Sequence, residues 1–428
     1  MRSLSFLTQK GCLLFLSGLA LIGVACAPSP TSSATPVPAE PSSTPGSAQA
    51  DGAADASGNS GQTTPAQDDI QAILQESWEA YKTRFIQADG RVIDWEADAR
   101  TVSEGQAYAM LRAVLIDDPD TFERTLNWAE NNLQRQEGTA QLDSLWAWTW
   151  GQKQDGTWGI QDVNFASDAD VDAIAALILA SRRWNRPDYL ALARTKLEDL
   201  WNESVWVVGD RAYLLPGPIT AFRPDPGKLV LNPSYLFPSA FRLFAQVDPD
   251  HDWMRLVDTS YTVLNDAATV SAVELPSDWV QINAYTGRVR PLENHPTLTS
   301  KYGFDAYRVW WRIALDALWF EEERATDFLQ DTLPYITDTW ERDRRIMAEI
   351  DLQGAPLVEY EATAQYAMLY PALLIVDSAI ATELFDDALF TTYTDGIWDG
   401  EDFYYVQNLA WFGLAAPTLR PQPWLASD

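Results

Sequence analysis

From Asp68 onward, apolar residues recur three and four positions apart, the spacing of a buried helical face, and no strand-like alternation competes seriously with it. Segments opening near Asp69, Ser103, Asp120, Ala166, Pro187, Asn232, Asp250, Phe304, Glu321, Leu357, Ala379 and Glu401 predict about twelve helices. Their connections alternate in kind. After the second, fourth and sixth helices come brief turns, DDPDTF, NRPDYL and VDPDHDW, in which Pro breaks one helix and Asp caps the next. Longer stretches rich in Gly, Pro and Trp precede each even-numbered helix. This alternation predicts an all-α toroid of six helical hairpins, outer helices leading into inner ones, with every inner helix starting at the face where the long loops gather. An open helical solenoid is the alternative, but the segments share no tight repeat.

The N-terminus follows a different pattern. Residues 1–26, MRSLSFLTQKGCLLFLSGLALIGVAC, join basic Arg2 and Lys10 to an apolar run that ends in small residues before Cys26, as an export signal does. A cysteine at the end of that run resembles a bacterial lipoprotein signal, with Cys26 the lipidated first residue of the mature chain, although Gly23 stands where such signals usually carry Leu. Ordinary cleavage and free secretion are the alternative. Residues 27–67 are Pro, Ser, Thr, Ala and Gly with scattered Asp and no apolar period, which predicts a disordered tether. The folded domain is then expected over 68–420, followed by a tail at 421–428.

Composition narrows the chemistry. A chain of 428 residues, 46% hydrophobic and 12% aromatic, is long enough to bury a sizeable core. Its formal charge of −31 argues against nucleic acid, which needs clustered Lys and Arg, and makes polyanionic substrates unfavourable. With two histidines and no cysteine beyond residue 26, a His/Cys zinc site or a Ser-His-Asp triad has little to be built from, and no disulfide is expected. The 19 Trp and 16 Tyr are high counts; most are expected to fill the helical core, and flat rings of this kind also stack on sugars.

At the heads of the inner helices stand Glu104 in SEGQAYAML, Asp168 and Asp170 in NFASDAD, the LNPSY stretch with Asn232 and Tyr235, Asp305 in GFDAYR, Glu359 and Glu361 in VEYEAT, and Tyr404 and Tyr405 in DFYY. Taken singly, Glu104 is what an ordinary helix start looks like, with Ser103 as N-cap and the acid complementing the dipole. Taken together, these residues meet in one groove if the toroid is right. Several carboxylates and aromatic platforms without histidine suit glycosidic bond hydrolysis, one protonated acid serving the leaving oxygen and one carboxylate acting on the opposite face. Calcium binding is the alternative, disfavoured because the acids lie on separate helices. The helix N-terminus lowers the pKa of Glu104. Asp168 and Asp170 nearby, with aromatic walls, would raise it again, and Arg308 one turn beyond Asp305 would keep that acid charged. Trp146, Trp148 and Trp150 alternate in LWAWTW and on an extended segment would face one side, whereas Trp310, Trp311, Trp340 and Trp411 read as core.

SEGQAYAML, ASDAD, LNPSY, LPSDW at 275–279 and GFDAYR together resemble glycoside hydrolase family 8, over roughly Ile70 to Ala415, and within it most closely the exported cellulase that accompanies bacterial cellulose synthesis. The resemblance implies an (α/α)6 barrel and inverting cleavage of β-1,4-glucan without a cofactor or metal. It makes Glu104 the general acid, Asp305 the base that activates water, and Asp168 a third acid holding the sugar at the cleavage point. Trp148 is then a stacking platform and Tyr405 a neighbour of the water, with Tyr108, Tyr235, Asp170 and Arg308 further substrate-binding candidates. ASDAD departs from the family's usual ATDGD at Ser167 and Ala169. A family 8 xylanase or chitosanase is the alternative within the class, and an inactive glycan-binding lipoprotein the alternative outside it. The partners expected are a glucan, a membrane through Cys26 and the cellulose synthesis machinery, the protein itself being a monomer.

Overall fold

The computed structural model describes residues 67–419 and 423–425, so the signal, nearly all of the tether and Cys26 lie outside the described residues. Among the described residues the helices are α1 (Gln67–Phe85), α2 (Ser103–Ile116), α3 (Pro119–Asn132), α4 (Ser167–Arg183), α5 (Pro187–Ser204), α6 (Ile219–Phe222) and α7 (Pro238–Val247). They continue with α8 (Trp253–Ala268), α9 (Tyr307–Phe320), α10 (Glu323–Thr332), α11 (Pro334–Asp343), α12 (Thr363–Val376), α13 (Ser378–Leu384) and α14 (Tyr404–Ala415). Setting aside the short α6 and the extra α11, twelve helices alternate outer and inner. The inner six, α2, α4, α7, α9, α12 and α14, touch one another in that order, and α14 closes on α2. The result is an (α/α)6 barrel.

The division follows from side-chain chemistry. Every residue of α2 from Gly105 to Leu115 is buried, and α4 is buried from Ser167 to Ser181, so these helices are covered on all sides. Outer α3 buries only the stripe Thr121, Phe122, Thr125, Leu126, Trp128 and Ala129. Two of the three brief turns cap as their sequences predict: Asp118 accepts from Thr121 N at the start of α3, and Asp252 accepts from Arg255 N at the start of α8, whereas α5 follows Arg186 with no side-chain cap. The inner helices, by contrast, begin at Val102, Ala166, Phe237, Ala306, Ala362 and Phe403 with no side-chain cap.

Four expectations need correction. No helix opens at Asn232. Pro233 and Pro238 bias the residue before each of them away from helical backbone, so a strand (Lys228–Leu231) runs into one 3-10 turn (Pro233–Tyr235), and α7 waits until Pro238. The helix expected near Leu357 starts at Thr363. The long loops also carry short antiparallel strands, such as Val205–Val208 with Arg211–Leu214 and Lys228–Leu231 with Val280–Asn283, too brief for a helical window to reveal. Nor does the domain stop at 420: Leu425 is buried, and Arg182 near the end of α4 donates to the carbonyls of Trp424 and Leu425.

Candidate active site

Thr101–Val102 pairs with the strand Thr149–Gln152, and Ser103 N–H donates to Trp148 O at 3.0 Å. This short ladder delivers Glu104 and Trp148 to the mouth of the barrel together. Ser103 is the first helical residue, not the cap, and its hydroxyl finds no partner among the described residues. Glu104 is the second residue of α2 and Asp168 the second residue of α4, while Asp305 ends the loop that enters α9. All three line one cleft of about 1000 Å³, with Trp148, Tyr235, Asp278, Trp279, Arg308, Tyr404 and Tyr405.

Arg308 organises them. Its Nη1 donates to Glu104 Oε2 and to Asp168 Oδ2, each at 2.8 Å, and its Nη2 donates to Asp305 Oδ1 at 2.8 Å. Only the planar fork of a guanidinium serves three carboxylates in fixed directions at once. Because Glu104 and Asp305 share that fork, their bonded oxygens stand no more than roughly 8 Å apart, compatible with the ~6.5–9.5 Å that leaves room for a water in inverting glycosidases.

The proton balance is uneven. Burial raises the Glu104 carboxyl to about 7. Asp168 and Asp305 push the same way, while Arg308 and the Tyr404 hydroxyl, which donates to Oε1 at 3.0 Å, oppose them. Asp305 is raised as well: burial outweighs Arg308, together with the Asn232 amide and the Trp279 indole, which also favour its anion. The expectation that Arg308 simply holds Asp305 charged is therefore too simple. The guanidinium is shared among three acids, and Glu104 keeps its proton near neutrality.

The other expected residues divide. Trp148, Tyr235, Arg308 and Tyr405 line the cleft, and Tyr405 Oη donates to Phe304 O at 2.7 Å in the loop carrying Asp305. Asp170 and Tyr108 do not line it. Asp170 is fully buried behind the wall, accepting from Trp146 N at 3.2 Å, and burial pushes its carboxyl to about 8. It therefore plays no part in raising Glu104. Tyr108 is fully buried and takes a 3.3 Å contact from Arg308 Nη1. Nor does LWAWTW form one strip, because a break between paired strands sends the rings apart. Trp146 is buried and donates to Glu130, Trp148 reaches the cleft, and Trp150 packs on Trp128 and Trp158. Glu361 lines the cleft. Sequence reasoning missed Tyr404 as the partner of Glu104, and Asp278 and Trp279 beside Asp305; the LPSDW motif was the available signal for the latter two.

These residues fall within a recognised family. The chain belongs to the glycosyl hydrolases family 8, whose model matches residues 64–416. An endoglucanase from Xanthomonas axonopodis pv. citri is 35% identical over 243 residues, covering 56% of this chain and 60% of that protein. An endoglucanase from Escherichia coli K12 is 35% identical over 242 residues, covering 56% and 62%. The matched stretch thus spans about three-fifths of the length of these relatives. Among solved structures, the endo-1,4-D-glucanase from Vibrio fischeri ES114 superposes with a TM-score of 0.66 at 25% identity, over 79% of this chain and 93% of that one. A cold-adapted family 8 xylanase shares the fold, with a TM-score of 0.66 at 19% identity over 82% and 91%.

Proposed function

We propose that this family 8 glycoside hydrolase is an inverting endo-β-1,4-glucanase, exported and held at a membrane through a lipid on Cys26, where it trims cellulose-like glucan. The observation that carries the enzymatic part is the single guanidinium of Arg308 bridging Glu104, Asp168 and Asp305 in an aromatic-walled cleft. Glu104, protonated near neutral pH, gives its proton to the glycosidic oxygen as the bond to the anomeric carbon breaks. A water on the opposite face attacks that carbon while Asp305 takes its proton, and the configuration inverts. Asp168, itself held by Arg308, binds the sugar at the cleavage point, and Trp148 supplies an apolar face for a ring further along the chain. The basic start, apolar run and Cys26 of the N-terminal sequence support export and the lipid, and the resemblance to cellulases of cellulose synthesis supports a biosynthetic partner.

Reducing ends released from carboxymethylcellulose, with proton NMR of the first anomer formed, test the reaction. Wild type should release the α-anomer first, and Glu104→Gln should release almost none. Turnover of xylan or chitosan in place of glucan would reassign the substrate, and a well-folded wild type inactive on all three would end the enzymatic claim. Mass spectrometry of the mature N-terminus tests the lipid.

A further inference from the structure

The LPSDW motif supplies none of the three acids, yet two of its residues enclose the proposed base. Trp279 Nε1 donates to Asp305 Oδ2 at 3.2 Å, opposite the oxygen taken by Arg308. Its ring is itself braced by Phe222, stacked at 6.1 Å, and by Tyr235 at 6.3 Å. Asp278 works on the backbone. Its Oδ1 accepts from Ala306 N at 2.9 Å, the amide directly after Asp305, and its own N–H donates to Lys301 O at 2.7 Å. The loop between is pressed against it. A Cβ on Gly303 would lie 2.7 Å from Asp278 Oδ2, so the glycine of GFDAYR is the residue that allows this approach.

We propose that Asp278 and Trp279 are positioning residues for Asp305. Asp278 pins the turn that carries the base, and Trp279 fixes which way its carboxylate faces. The inference rests on Asp305 being the base. The charged and titratable groups facing Asp305 are Arg308, Asp168, Glu104, Asp278, Tyr235 and Tyr405, and Lys301, Glu349, Tyr302 and Tyr307 face Asp278. Burial and Asp305 hold Asp278 well above the ordinary carboxylate range.

The test is a pH profile of kcat on a soluble cello-oligosaccharide. Trp279→Phe keeps the ring and removes one N–H from an ionised acceptor. It should lower kcat about tenfold with KM within about twofold, and move the acid limb to higher pH because the anion of the base has lost a donor. Asp278→Ala should lower kcat by about the same factor, and Asp278→Asn, which keeps an acceptor for Ala306 N–H, should restore it. Should Asp278→Ala fail to fold, the Trp279→Phe profile and Gly303→Ala, expected to lower kcat by displacing Asp278, still decide. Wild-type kcat and acid limb in Trp279→Phe, or a KM rise with kcat unchanged, would make Trp279 a plain groove wall and overturn the proposal. Full activity of Asp305→Asn would instead remove the base assignment on which it rests.

Discussion

At Glu104, burial and two neighbouring carboxylates outweigh an arginine and a tyrosine, and the carboxyl keeps its proton until about pH 7. Two consequences follow at the scale of this residue. Activity that needs the protonated acid should fall as pH rises through 7, giving kcat/KM an alkaline limb there. Stability moves in the same direction for a separate reason. The folded protein binds this proton more tightly than the unfolded chain, whose glutamate titrates in the ordinary range, so the contribution is fully present at low pH and is lost as pH rises from that range through 7. Melting Glu104→Gln beside wild type across pH 4.5–8 should show the variant gaining relative stability with pH, and parallel curves would refute it. The variant should also lose about 10²–10⁴ in kcat, the usual contribution of general acid catalysis. Asp170 offers the contrast. It is already neutral at pH 7, so Asp170→Asn should cost no more than about 1 kcal/mol in thermal unfolding and leave kcat unchanged.

Much of this was readable residue by residue. Glu104, Asp168 and Asp305 each open or precede an apolar helical run, and the ring geometry brings their side chains to one arginine. Asp170 misled because adjacent acids on a helix look equivalent in sequence, although two positions along a helix turn a side chain some 200° away. The bonds of Tyr404 to Glu104 and of Trp279 to Asp305 escaped because a hydrogen bond between residues 300 or 26 positions apart leaves no periodic trace.

At the scale of elements, α4 and α9 face each other through two rungs. Arg308 meets Asp168, and one turn deeper Arg312 meets Asp172 in a fully buried bidentate pair at 2.9 Å. The spacing of four on both helices makes the rungs parallel. The deeper rung touches no cleft, so it fixes the register of the two helices that carry Asp168 and Arg308. Asp172→Asn, which leaves Arg312 buried beside a neutral amide, should destabilise by about 3–5 kcal/mol in chemical denaturation. A loss under 1 kcal/mol would show that the pair contributes little. A second close approach joins the last two inner helices: on α14, a Cβ at Gly413 would lie 2.0 Å from Ala367 O on α12. Gly413→Ala should therefore lower stability by about 1–3 kcal/mol and depress the melting temperature, since the clash is with backbone. The alternation of turns and helices forecast this architecture well. The strands and the late start of α7 stayed hidden because they depend on proline geometry and pairing across long loops, which a window of single-chain hydropathy does not register.

On the scale of the whole molecule, the inner helices begin at one end of the barrel, and none of the six is capped by the side chain of its own N-cap residue. A protein whose sequence sums to −31 thus gathers the positive ends of six helix dipoles around its mouth. An uncharged, hydroxyl-rich strand reaches that mouth without crossing a repulsive field, whereas a polymer studded with carboxylates is turned back by the acidic exterior before it arrives. Derivatised cellulose should accordingly be cut ever more slowly as its load of carboxymethyl groups rises, and added salt should narrow that gap by screening the exterior.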